Sequence, residues 1–128
     1  MSLLQRLVGD EPVTFYLGNY GGFDNFSFSC CQQFKKQHPN STLVFVTPYR
    51  DQSYLEHHLP VGGGYDEILY PDIEDRPLKF AISYRNMYMV EKADVIIAHI
   101  ERSCGGAYKT YNYAVKKGKT VYDLLSER

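Results

Sequence analysis

At 128 residues, 44 % hydrophobic and 23 % charged, the chain has the size and make-up of one globular domain around a single core. A net charge of −1 lacks the basic footprint that phosphate-backbone binding needs, which excludes polymeric nucleic acid as an expected partner. No apolar run approaches the ~20 residues of a membrane span, and "MSLLQRLVGDEP" is too short and polar for a signal peptide. Three cysteines, two of them neighbours, make no disulfide framework, so the expected setting is a reducing cytoplasm without a membrane partner.

Residues 2–8 predict a short helical turn ended by Gly9 and Pro12. "VTFYL" (13–17) is a compact β-branched and aromatic run, read as a buried strand that closes on "GNYGG" (18–22). Asp24 is the expected N-cap of the next helix, in which Phe26, Cys30 and Phe34 recur at helical spacing. Lys35, Lys36 and His38 suit its negative end, and Pro39 stops it. "TLVFVT" (42–47) is a second strand closed by Pro48; a long loop with glycines at 62–64 follows, then a short strand, "DEILY" (66–70).

Pro77 fits the first turn of a helix running to about Lys92, with Leu78, Ala81, Ile82, Met89 and Ala93 along one stripe. "DVIIAHI" (94–100) is apolar without alternation, as expected of a strand covered on both faces. After Gly105-Gly106 a helix is predicted to Lys117, with Gly118 as its C′ glycine and "TVYDL" as the last strand. Strands alternating with helices imply an α/β fold: a Rossmann-like three-layer sandwich with a mostly parallel five-stranded sheet, strand order 3-2-1-4-5. In that order a ligand crevice lies between the carboxyl ends of the first and fourth strands. Both glycine turns, "GNYGG" and "ERSCGG", fall there.

Glycine matters at such turns because backbone N–H groups approach a phosphate only where no Cβ intervenes, and a helix N-terminus adds about half a positive charge. Each turn alone reads equally well as a steric strand end; two at adjacent strand ends favour binding. Arg85 lies on the apolar stripe of its helix, so its charge needs a carboxylate or a ligand phosphate as partner. Asn86 beside it suits either a ribose hydroxyl or a loop cap. Tyr20, Tyr49, Tyr70 and Tyr108 fall near strand ends or at a helix start, where rings stack on a base or cover sheet edges and dimer contacts. Cys104 lacks the neighbours of a nucleophile, and His57-His58 lack the companions of a metal site, so no metal and no cofactor are expected.

"SYRNMYMVEKADVIIAHIERSCGGAYKTYNYAVKKGKTVYDL", together with "YLGNYGG", resembles the SLOG superfamily. That superfamily includes LOG-type nucleotide phosphoribohydrolases, DprA-like and YpsA/YoqJ-like proteins and sensor domains of bacterial conflict systems. The pattern is also similar to the related nucleoside 2-deoxyribosyltransferases. Residues 49–66 match nothing in it. The resemblance implies a Rossmann-like binder of nucleotides, ADP-ribose derivatives or related signals. Gly18, Asn19, Tyr20, Gly21 and Gly22, with Gly105, Gly106 and Ala107, would hold phosphate or ribose. Thr47, Pro48, Arg85, Asn86 and Glu101 would line the same pocket.

Catalytic members of these families carry a glutamate shortly after the glycine turn or use a nucleophilic glutamate. Here "GGAYKTYNYA" has no carboxylate between Glu101 and Asp123, so glycosidic-bond cleavage lacks its obvious base or nucleophile. The leading expectation is a sensor or sequestering domain for a nucleotide-derived ligand, such as a signal sponge of a phage or mobile element. The alternatives are an N-glycosidase or 2-deoxyribosyltransferase using Glu101, and an interaction module with a vestigial pocket. Tyrosine-rich surfaces suggest a homodimer or higher homo-oligomer.

Overall fold

The computed structural model describes residues 2–18, 22–60, 63–99 and 106–124. The chain divides into two compact units, Met1–Tyr70 and Pro71–Arg128.

In the first unit, α1 (Ser2–Val8) precedes β1 (Val13–Leu17), α2 (Gly22–Gln37), β2 (Ser41–Val46), α3 (Gln52–His58) and β3 (Glu67–Leu69). The three strands form a parallel sheet in the order β1-β2-β3, with Val13 opposite Ser41 and Val44 opposite Glu67. The central strand is the driest part of the unit: Leu43, Val44, Phe45 and Val46 are at most 1 % exposed. Such a strand is apolar on both faces because neither meets water. Leu17, Cys31 and Leu43 form the core cluster, with Phe15, Phe28 and Tyr65 packed against it. Burial pushes the Cys31 thiol up to about 12, and the Cys30 neighbour adds to this.

The helix α2 departs from expectation in two ways. It begins at Gly22, so Asp24 lies inside its first turn and is not its N-cap. Its buried face runs through Phe28, Cys31 and Phe34, whereas Phe26 is 61 % exposed and Cys30 half-buried. "NFSFSCCQQF" carries two overlapping apolar stripes, and packing against β1 and β2 chose between them. Phe34 meets Phe15 edge-on at 5.8 Å, and Phe28 stacks on Tyr65 at 4.6 Å. The long loop after β2 also contains a helix that its lack of an apolar stripe concealed. Asp51 Oδ2 accepts the Tyr54 N–H at 3.2 Å and caps α3, no residue of which is buried.

The second unit holds a 3-10 turn (Leu78–Phe80), α4 (Ala81–Lys92), β4 (Val95–Ala98), α5 (Gly106–Lys116) and β5 (Thr120–Asp123). β4 and β5 pair in parallel, Val95 opposite Thr120 and Ala98 opposite Asp123, and α5 packs on both strands and on α4. Pro77 precedes the 3-10 turn, and Leu78 is 75 % exposed, outside the stripe expected of it. α5 ends as expected. Gly118 has φ +74°, its N–H reaches Val115 O at 3.0 Å, and the Lys119 N–H reaches Ala114 O at 3.1 Å, the paired bonds of a Schellman cap.

The expected five-stranded sheet of order 3-2-1-4-5 is not formed. The hydrogen-bonded sheets are β1-β2-β3 and β4-β5, and no ladder joins β1 to β4 among the described residues. Nor is β4 covered on both faces: Val95 is exposed and Ile96 to Ala98 are only half-buried. Strand–helix–strand alternation dictates parallel pairing of nearby segments, because the crossover helix returns the chain to the same end. It says nothing about which edge of one such unit meets another.

One carboxylate closes the first sheet. Asp66 Oδ2 accepts the Leu43 N–H at 2.8 Å while the Asp66 N–H donates to Leu43 O at 2.8 Å. Lys35 Nζ donates to both Asp66 oxygens at 2.5 and 2.7 Å. The Leu43 N–H and then the Lys35 ammonium hold the Asp66 carboxyl below its ordinary range. Asp66→Ala strands the N–H of fully buried Leu43 and should cost about 1–3 kcal/mol in urea unfolding. Asp66→Asn keeps an acceptor, loses only a partly exposed ion pair and should cost about 1 kcal/mol or less. Because the folded-state carboxyl is the more acidic, its contribution is fully present above the ordinary carboxylate range, roughly pH 4, and is lost as pH falls through the lowered folded value. The gap between wild type and Asp66→Asn should therefore narrow in melts run at pH 3.

Candidate functional site

Two groups of expected site residues can be placed, one in each unit. In the first, Gly18 follows β1 while Thr47 and Pro48 follow β2, and all three are buried. With Leu17 opposite Phe45, Gly18 and Thr47 leave the same carboxyl edge within about one residue of each other. The Thr47 N–H continues the ladder to Leu69 O at 2.9 Å. Thr47 Oγ1 donates to Tyr49 O and accepts the Tyr49 N–H at 3.2 Å, which turns the chain sharply after β2. Gly22 opens α2 on the same β1–α2 connection.

In the second unit Arg85 and Asn86 lie on α4, and Gly106 and Ala107 open α5, the helix that packs on α4. Arg85 is 2 % exposed, so its predicted place on the inner face of the helix holds. Ala81 and Val90 are buried with it. Among its contacts, Arg85 Nε donates to Asn86 Oδ1 at 2.9 Å, a partner expected from neither the carboxylate nor the phosphate reading. Burial is tolerable for the guanidinium because each of its donors can be given an acceptor; Asn86 supplies one by sequence adjacency.

Gly106 has no positive φ, and a Cβ built on it meets nothing within 4 Å. Neither backbone strain nor crowding asks for glycine there. Asn19, Tyr20, Gly21, Glu101 and Gly105 lie outside the described residues, as does Cys104. The crevice expected between the ends of β1 and β4 required these strands to be neighbours in one sheet, which they are not.

The segment after β2 brings together side chains that the sequence reading did not connect. Tyr49 meets Tyr54 edge-on at 4.9 Å, Tyr54 stacks on His58 at 3.9 Å, and the Arg50 guanidinium stands 5.8 Å from the Tyr70 ring centre. Tyr49 and Tyr70 were marked by their strand-end positions. Arg50 and α3 were not, although Asp51 three residues before Tyr54 and the i, i+4 spacing of Tyr54 and His58 were signals of a capped helix. His57 Nδ1 and His58 Nδ1 bond to Ser53 O and Tyr54 O within that helix, at 2.8 and 2.9 Å.

Comparison with known proteins fits the resemblance. The chain is 25 % identical over 136 aligned residues to the uncharacterized SPbeta prophage-derived protein YoqJ of Bacillus subtilis (strain 168), covering 91 % of this chain and 78 % of that protein. YoqJ gives its name to a branch of the superfamily that the motifs resemble. No family model and no solved structure matches the chain.

The Arg85–Asn86 bond is open to direct test. Asn86→Ala removes an acceptor from a buried cation and should cost about 1.5–3 kcal/mol in chemical denaturation. Asn86→Asp restores an acceptor at the same place and should recover most of that loss.

Proposed function

We propose that this protein binds a small nucleotide-derived ligand, of the ADP-ribose or cyclic-nucleotide kind, and senses or sequesters it without cleaving it. The observation that carries this reading is Gly106. The 11-residue helix α5 opens on a glycine in ordinary backbone conformation with open space where a Cβ would stand. Alanine would favour the helix more, so a missing Cβ gains the fold nothing. It does leave backbone N–H groups at a helix N-terminus approachable by a phosphate or ribose. Buried Arg85 and half-buried Asn86 on the adjoining helix supply polar and cationic character of the kind such a ligand needs.

The absence of a carboxylate from Arg102 to Tyr122 argues for retention of the ligand over its hydrolysis. Similarity to a prophage-derived protein agrees with a role in sequestering a signal.

Gly106 separates binding from folding. Gly106→Ala should leave the melting temperature unchanged or slightly raised, and Gly106→Val should abolish calorimetric binding of ADP-ribose at unchanged helical content. Normal binding by Gly106→Val would reduce the glycine to a helix start. Incubating wild type with nucleotides, ADP-ribose and cyclic ADP-ribose, then analysing the supernatant and the denatured protein, distinguishes the reactions. Intact ligand released on denaturation is the expected result, turnover would instead indicate a glycosidase using Glu101, and no retention would indicate an interaction module.

A further inference from the structure

Resting on the nucleotide-ligand reading, we propose that the carboxyl ends of β2 and β3, with α3, form within the first unit a subsite for a planar nucleotide base. The rings involved belong to one unit and to a segment of 22 residues, Tyr49 to Tyr70. Tyr49 and Arg50 leave β2, Tyr70 leaves β3, and these strands are paired neighbours, so the three residues come off one edge of the sheet. The Thr47 side chain pins the turn that presents Tyr49, through its bonds to both the Tyr49 N–H and carbonyl. From there an aromatic ladder runs Tyr49 to Tyr54 to His58, edge-on and then face-to-face.

These rings do not serve as core. No residue of α3 is buried; Tyr49, Tyr54, His58 and Tyr70 are half-buried and Arg50 is exposed. The fold therefore maintains an ordered, partly solvent-facing aromatic surface, stiffened by the Asp51 cap, with a guanidinium beside it. Its chemistry matches one class of ligand part, a flat π-system. A half-exposed aromatic face stacks on any base, and arginine adds a second stacking plane. Its position agrees with the rule that parallel sheets present ligand sites beyond their strand carboxyl ends. Because stacking tolerates any π-face, a purine nucleotide is distinguished here from its base-free sugar phosphate more strongly than adenine is from hypoxanthine.

The test is calorimetric titration of the full chain with two probes, ADP-ribose and ribose 5-phosphate, for wild type, Arg50→Ala and Tyr54→Ala. Circular dichroism establishes that each variant is folded, and the exposed Arg50→Ala decides the matter alone if Tyr54→Ala is not. The expected result is an ADP-ribose Kd at least tenfold weaker in the variants, with ribose 5-phosphate affinity within twofold of wild type. Unchanged ADP-ribose binding, or loss of both probes in step, would overturn the base subsite while leaving the nucleotide reading in place. Failure of wild type to bind either probe would overturn the nucleotide reading itself, and the subsite with it.

Discussion

The complete burial of Leu43 to Val46 is the constraint around which the first unit is organised. A strand removed from water must pair its backbone groups within the protein, because each unsatisfied one costs as much as a lost hydrogen bond. β1 supplies one ladder and β3 the other, but β3 is only three residues long. Asp66 makes up the shortfall by accepting from Leu43 through its side chain and donating to it through its main chain. Lys35 then balances the charge that this arrangement brings to the sheet. With β2 held in register on both sides, Gly18, Thr47 and Tyr70 emerge from one edge. The strand-end chemistry of this unit is thus a consequence of how its driest strand is satisfied.

The second unit solves a similar problem with different means. Ala114 is fully buried where α5 meets its neighbours, and a small side chain permits close approach there. Lys119, just past the Schellman turn, donates to Glu91 O and Ala93 O at 3.3 and 3.0 Å, satisfying carbonyls at the end of α4 with a cation where the helix dipole favours one. Tyr113 adds a hydroxyl bond to Glu91 at 2.7 Å, which raises its own phenol above the ordinary range. Cap and cross-link together fix where α4 ends and β4 begins. The position of Arg85 and Asn86 relative to the start of α5 follows from that.

Much of this was legible in the residues. β1 and β5, the Gly118 cap and the inward face of Arg85 depend on neighbours within a turn or a strand, and local pattern reports local structure. The candidate site was legible to the extent that glycines and a misplaced arginine break such patterns. Where the reading failed, two local solutions were equally good or no local signal existed. The α2 sequence offers the stripe of Phe26 and Cys30 as readily as that of Phe28 and Cys31, and only contact with β1 and β2 distinguishes them. The helix α3 buries nothing, so hydrophobic periodicity had nothing to register.

By itself, then, the sequence determined an α/β chain of parallel-paired strands and crossover helices, with its glycine turns and its resemblance to the SLOG superfamily. Propensity, capping and periodicity act over a few residues and need no knowledge of the rest of the chain. Tertiary structure alone decided that β1-β2-β3 and β4-β5 are separate sheets, that Asn86 serves Arg85, and that Asp66 completes the ladder of Leu43. Strand edges carry the same N–H and C=O groups whatever the side chains. Which edges meet is therefore set by the packing of whole faces, which one-dimensional pattern does not encode.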